Sequence, residues 1–247
     1  RHGTPVWGGV SATLIRDPET GQPLLSVADI EDINDRHKAQ VVLETARRDL
    51  EAMVEQRTAA LAQRDLLLRE VYHRVKNNLQ VVDSLLLMQS RRLGDPEAKT
   101  ALDNLRARVF ALGLVHHQLM GSADLETFDI APFLQDLTQH LLEGAGQGGI
   151  SLSVKAAPMK VGLDFAIPLG LLVTELVTNS IKHAFAAGKG AIEVALEFDG
   201  PGRLALCVAD DGAGYDPAAP ALPGSLGAVI IEGLVQQLRG DLTVVQN

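Results

Sequence analysis

Glu70-Val71-Tyr72-His73-Arg74-Val75-Lys76-Asn77-Asn78-Leu79-Gln80-Val81-Val82-Asp83-Ser84-Leu85-Leu86-Leu87-Met88-Gln89 runs without a Gly or Pro. Its apolar residues recur at helical spacing. Leu68, Val71, Val75, Leu79, Val82 and Leu86 fall on one stripe at roughly 100° per residue. His73, Asn77, Gln80 and Ser84 fall on the opposite side. The pattern predicts a helix that buries one face and presents His73 to solvent. A surface imidazole is an ordinary solvated side chain unless something brings it an electrophile, in which case it is a nucleophile.

The flanking sequence extends this helix in both directions. From residue 35 to 68 the composition shifts to Ala, Leu, Glu, Arg and Gln with no Gly or Pro, which predicts one long helix. Val54, Leu61, Leu68 and Val75 recur every seven residues, with Leu50 nearby, as in a coiled-coil seam that Arg57 and Arg64 make imperfect. The helix is expected to reach about Leu93, where Gly94-Asp95-Pro96 stops it. Asp95 then caps a second helix, from about Pro96 to Met120, with Leu102, Leu105, Val109, Leu112 and Val115 apolar. A short loop between long helices predicts an antiparallel hairpin, and two such hairpins from two chains would bury every stripe as a four-helix bundle. His116 and His117 are read as structural, because no Cys or acidic partner stands at ligand spacing.

The quoted stretch resembles the phosphoacceptor box of bacterial sensor histidine kinases. Its His73-Arg74-Val75-Lys76-Asn77-Asn78-Leu79-Gln80 core is similar to the group related to the HWE kinases.

Downstream, residues 130–142 read as a helix that a Gly-rich run, 144–149, breaks. Ile150, Leu152 and Val154 alternate as a strand. Residues 165–185 form a helix. Ile192, Val194, Leu196 and Phe198 make a further strand, Asp199-Gly200-Pro201-Gly202 a turn, and Leu204, Leu206 and Val208 the return strand. Residues 228–239 form the last helix, and 241–245 look like a final strand. The order predicts an α+β sandwich with helices on one sheet face.

Two patterns in this half carry chemistry. On the helix Leu169, Val173, Leu176, Ser180 and Ala184 make a packed side, while Glu175, Asn179, Lys182 and His183 cluster on the other. A carboxylate, an amide oxygen and cationic donors are the groups that Mg-triphosphate requires. The alternative is a solvated amphipathic face. Val208-Ala209-Asp210-Asp211-Gly212-Ala213-Gly214-Tyr215 follows a strand directly, where glycines let backbone pass close to a planar ligand and a carboxylate can accept from an exocyclic amine. Turn chemistry alone also accounts for it. Residues 215–224, with Pro217, Pro220 and Pro223, read as a mobile lid. Ser225-Leu226-Gly227-Ala228 opens a helix whose N–H groups could face phosphates.

Together these patterns resemble the nucleotide-binding boxes of the GHKL ATP-binding fold. That resemblance implies that Asn179 ligates Mg²⁺, that Glu175 polarises water at the metal or aids proton transfer, and that Lys182 and His183 contact phosphates. It implies that Asp210 holds the adenine amine and that Gly212, Gly214 and Gly227 belong to the nucleotide loops. ATP and Mg²⁺ are the implied cofactors, and the implied reaction is autophosphorylation of His73. A receiver domain of a response regulator and a second copy of the chain are the implied partners. Arg74 stands where many kinases carry an acidic residue after the phosphoacceptor, so Glu70 and Glu175 both remain open as the base. The Gly-rich region lacks the tryptophan of the HWE group, since Trp7 is the only one. Rival readings are a nucleotide-binding scaffold without phosphotransfer, and an ATPase of the same fold.

At the start of the chain, Val10, Ala12 and Leu14 alternate. Asp17-Pro18-Glu19-Thr20-Gly21 is turn chemistry and Leu24-Leu25-Ser26-Val27 resumes a strand. Two strands alone are marginal in water. Residues 7–36 resemble the last strands and exit of a PAS sensor domain. The expected organisation is a PAS remnant at 1–34, a coiled-coil signalling helix at 35–65, a dimerisation and phosphotransfer hairpin at 66–121, and a catalytic ATP-binding domain at 122–247. Both ends read as cuts in a longer protein.

The 247 residues carry a net charge of −9, which disfavours nucleic acid as a partner. No membrane span or signal peptide is read from the sequence. The single Cys207 excludes an internal disulfide, fits a reducing cytoplasm, and is read as a small core residue.

Overall fold

The computed structural model describes residues 6–145, 149–185, 188–214 and 226–245. The chain divides into two compact units, Arg1–Arg64 and Asp65–Asn247.

In the first unit, strands β1 (Gly8–Arg16) and β2 (Pro23–Asp32) form an antiparallel hairpin, Gly8 opposite Asp32. Its turn is built as expected: Asp17 accepts from the backbone N–H groups of Glu19 and Thr20 at 2.8 Å each, and Gly21 takes a positive φ of 69°. No residue of either strand is buried. The hairpin leads into helix α1 (Asn34–Ser90), and Asn34 Oδ1 accepts from Trp7 N–H at 2.9 Å.

Helix α1 is continuous over 57 residues, as the absence of Gly and Pro requires, and stops at Ser90, three residues before the predicted end. Asp95 caps α2 (Pro96–Gly121) by accepting from Glu97 N–H at 3.1 Å, with Pro96 in the first turn. The two helices run antiparallel. Arg69 donates to the Met120 carbonyl, the rings of Tyr72 and His116 lie 5.7 Å apart, Leu79 lies over Gly113, and Asp83 takes Arg106. The face of α1 towards α2 therefore runs through Tyr72, Leu79 and Asp83. Val71 and Val82, expected on the buried stripe, are 53% and 41% exposed. The apolar surface of α1 is wider than one partner helix can cover.

Beyond the hairpin come β3 (Phe128–Asp129), α3 (Ile130–Ala145), β4 (Gly149–Ala156), β5 (Lys160–Val161), α4 (Leu163–His183), β6 (Lys189–Phe198), β7 (Leu204–Asp210) and α5 (Leu226–Gln237). A three-stranded sheet has the order β4-β6-β7, with β4 parallel and β7 antiparallel to β6, while β3 and β5 form a separate short pair. Helix α4 is thus the crossover between parallel neighbours, which the sequence order alone had not specified.

Inward residues Ile150, Ile192, Val194 and Leu196 meet Phe133, Leu137, Val173 and Val177 from α3 and α4 in one core. Ala111, Val115 and Leu119 of α2 join the same core, so the hairpin and the sandwich are packed together. Gly170 lets α3 and α4 approach closely, because a methyl group there would come within 2.7 Å of the Phe133 ring. Each fully buried Phe or Val contributes about 1.5–3 kcal/mol of apolar burial.

Two expectations are corrected. Residues 241–245 form no strand: Leu242, Val244 and Val245 are more than half exposed, and alternation without a paired edge builds no ladder. Cys207 is exposed, because on β7 it alternates with inward Leu206 and Val208. Helix α4 is long and apolar enough to cross a membrane by length and composition alone. It is a core helix here, with 56% of that window buried within the fold.

Candidate functional site

Helix α4 carries four of the predicted site residues, Glu175, Asn179, Lys182 and His183. Its second half separates into a packed side, Val173, Val177 and Ile181, and a side carrying Asn179, Lys182 and His183, all three exposed. Glu175 departs from the expectation. It is 6% exposed, because α2 packs over it. Arg108 of α2 grips it with two hydrogen bonds, Nε to Oε1 at 2.5 Å and Nη2 to Oε2 at 3.0 Å. A planar guanidinium matches a carboxylate in this way, and such paired, charge-assisted bonds are the strong class.

The other end of the cluster is held by the same helix. Lys182 Nζ donates to Asn104 Oδ1 on α2. Partial burial holds the Lys182 ammonium below its usual range and Arg108 acts in the same direction, while Glu175 and Asp103 oppose them.

Asp210 ends β7 beside α4. Its Oδ2 accepts from Ser180 Oγ at 2.7 Å and its Oδ1 from Gly212 N–H at 3.2 Å. The carboxylate is exposed and stands one residue along α4 from Asn179. Gly212 serves a close approach, though to protein: a methyl group there would lie 2.4 Å from both Ala184 Cβ and the Ala184 carbonyl. The neighbouring Ala213 N–H donates to that same carbonyl at 2.9 Å. Gly214 takes a φ of 77°, the left-handed region that favours glycine. The loop is thereby turned across the end of α4.

Helix α5 closes this side. Leu172 of α4 packs with Ile231 and Leu234, and a methyl group on Gly227 would lie 3.9 Å from Glu175 Oε2. Asn179, Lys182, His183, Asp210, Gly212 and Gly214 therefore lie around the C-terminal end of α4, and Gly227 lies beside Glu175 nearer its middle. The lid read at residues 215–224, with Ser225, lies outside the described residues.

His73 is exposed on α1, as predicted. Of the two open bases, Glu70 pairs with Arg74 at 2.8 Å on the exposed helix surface, and Glu175 pairs with Arg108. His116 is half-buried against Tyr72, and its Nδ1 has no hydrogen-bond partner. Among the described residues no group of three or more His, Cys, Asp or Glu could hold a metal. A Mg²⁺ here would be held by the Asn179 amide oxygen together with phosphate oxygens, the usual mode for this ion beside a triphosphate.

Sequence reasoning missed Arg108, Asn104 and Ser180. Asn104 and Arg108 stand four apart on α2, a spacing that places them on one face, but nothing in the pattern says which helix that face meets.

The family described as "Histidine kinase" matches residues 70–145, and the family described as "Histidine kinase-, DNA gyrase B-, and HSP90-like ATPase" matches residues 165–247. Blue-light-activated histidine kinase 2 of Erythrobacter litoralis is 33% identical over 189 residues, covering 74% of this chain and 54% of the relative. Sensor histidine kinase PdtaS of Mycolicibacterium smegmatis is 36% identical over 203 residues, covering 76% of this chain and 38% of the relative. The chain thus spans about half the length, or less, of these relatives. Among solved structures, the histidine kinase domain of the Erythrobacter litoralis EL346 blue-light activated histidine kinase aligns with a TM-score of 0.55 at 30% identity. The alignment covers 76% of this chain and 88% of that domain.

Proposed function

The chain belongs to the histidine kinase family, in the HWE-related group with a GHKL-type ATP-binding domain, and from that premise we propose that it phosphorylates its own His73 with ATP. The observation that carries the reading is an exposed imidazole on a rigid helix, within the same compact unit as the residues gathered around the end of α4.

In the proposed reaction a neutral imidazole nitrogen of His73 attacks the γ-phosphorus, the bond from that phosphorus to the β,γ-bridging oxygen breaks, and ADP leaves. Lys182 and His183 would meet phosphate oxygens, and Asp210, fixed by Ser180, would accept from the adenine amine. Mg²⁺ held through Asn179 would supply charge neutralisation on the phosphates. Glu175, once free of Arg108, would take the imidazole proton directly or through water. Glu70 is the second candidate, paired with Arg74 on the exposed surface of α1.

The phosphoryl group would pass to an aspartate of a response regulator. Exposed Val71, Val82 and Leu85 support a homodimer through α1. Residues 1–34 are read as the end of a PAS sensor domain, 35–65 as a coiled-coil signalling helix, 66–121 as the phosphotransfer hairpin, and 122–247 as the catalytic domain. A cytoplasmic location fits the single exposed thiol.

The test is incubation with ATP labelled at the γ-phosphate. The reading requires label on the chain that is acid-labile, base-stable, and lost in His73→Ala. Bound nucleotide with no label would replace it with the scaffold reading. Phosphate release independent of His73 would replace it with an ATPase.

A further inference from the structure

The nucleotide helix is gripped by the helix that faces it, at a level of the bundle far from His73. Arg108 and Asn104 lie one turn apart on α2 and hold Glu175 and Lys182, about two turns apart on α4. Both oxygens of Glu175 are taken by the guanidinium. The Arg108 side chain is only 19% exposed, so this pair is shielded from water and salt.

The level follows from the antiparallel pairing of α1 and α2. Tyr72 stands opposite His116, and Asp83 stands opposite Arg106. Arg108 and Asn104 flank Arg106, so the grip lies near Asp83. The ten residues from His73 to Asp83 correspond to about 15 Å along the helix. Lys182, which meets Asn104, lies nearer still to the hairpin loop. Phosphoryl transfer needs the reacting atoms within about 3–3.5 Å. With α4 gripped at this level, residues that would hold the phosphates stand two to three turns away from the acceptor.

We propose that Arg108–Glu175 and Asn104–Lys182 form an autoinhibitory latch that must open before His73 is phosphorylated. The proposal rests on the kinase reading above for its consequence, though not for its geometry. The latch competes with substrate for position, because the bond to Asn104 takes one of the three Lys182 N–H donors and holds the ammonium against α2. A conformation that must open before binding weakens the apparent affinity by the fraction of molecules that are open. The route to the latch is also on hand. Arg106 donates to Asp83 of α1 at 2.9 Å, two residues from Arg108, so a turn of α1 would be felt at the grip through α2.

The experiment uses the full chain with Arg108→Gln, Arg108→Lys and Asn104→Ala. Two quantities are read: affinity for a fluorescent ATP analogue, and the initial rate of label on His73 at saturating ATP. The expected result is tighter binding and faster labelling, by about tenfold in Arg108→Gln, a moderate coupling between sites. Smaller gains are expected in Asn104→Ala, and Arg108→Lys, which keeps charge without the fork, should fall between wild type and Arg108→Gln. Arg108→Gln leaves a buried carboxylate unpaired, so its melt is compared with wild type; if it is unfolded, the half-buried Asn104→Ala decides. Unchanged or weaker binding together with unchanged or slower labelling in the folded variants overturns the latch and would make Arg108 a group that the reaction needs. The two proposals fail separately. Absence of label in wild type with tighter nucleotide binding in the variants would sink the kinase reading and keep the latch.

Discussion

Helices α1 and α4 are both amphipathic in sequence, and the structure treats them in opposite ways. Of the 57 residues of α1 only Ser90 is buried, whereas ten of the 21 residues of α4 are. Helix α4 has its partners in the chain, with α3 and the sheet on one side and α2 and α5 on the others. Helix α1 has α2 along part of its length, and Val71, Val81, Leu85 and Met88 remain more than half exposed. A stripe of apolar residues records only that a partner is needed. Whether the partner lies in the same chain has to be read from what packs on it.

The sharpest way to break this comparison is to place the same charge on each helix. Val177 has no exposed surface, and Val177→Asp would bury a carboxylate with no partner, a cost of several kcal/mol. The expected outcome is loss of the cooperative melt of the C-terminal unit. Leu85 is 52% exposed, and Leu85→Asp should leave that melt within about 2 °C of wild type, the range of a surface change of ~0.5 kcal/mol. It should weaken self-association in light scattering, since α1 is where the second copy is proposed. If both substitutions destabilise equally, α1 is part of the core and the contrast is wrong.

Glycines sharpen the contrast on a finer scale. A methyl group at Gly212 would collide with backbone of Ala184 at the end of α4, whereas one at Gly233 on α5 would meet nothing within 4 Å. Gly212→Ala should cost about 1–3 kcal/mol, the range of overpacking, and weaken nucleotide binding by displacing the Asp210 loop. Gly233→Ala should stabilise by about 0.5–1 kcal/mol through helix propensity alone. Thermal melts of the two variants, moving in opposite directions, would check both.

Legibility in the sequence followed the same line. Elements whose signals are local were readable: the turn at Asp17, the cap at Asp95, the alternation of Ile192, Val194 and Leu196, and the outward His73. Readings failed where distant pairing decides. Residues 241–245 alternate like a strand and have no paired edge. Cys207 sits in an apolar run whose alternation turns it outward. Glu175 was grouped with exposed Asn179 by helical spacing, which cannot know that α2 brings Arg108 against it. The candidate site was therefore legible as a set of residues, and its present engagement with the hairpin was not.

The smallest effect tests the one face of α1 that is covered. His116 lies against Tyr72 of α1, and burial lowers its pKa from the ordinary 6.5. Above pH 6.5 the imidazole is neutral whether the chain is folded or not, and the seam keeps its full stability. As the pH falls below 6.5 the unfolded chain takes up a proton that the folded seam refuses, so stability is lost on acidification until the lowered folded value is passed. His140 adds in the same direction, because burial against the Phe110 ring, 3.4 Å away, lowers it, with Arg106 adding to the fall and Glu143 and Asp83 opposing it. Melting temperature measured from pH 7.5 down to 5.5 should fall below pH 6.5, and His116→Leu should make that fall shallower without removing the His140 share. An unchanged slope in His116→Leu would mean that the imidazole is already open to water, and that α2 covers α1 less tightly than the ring contact requires.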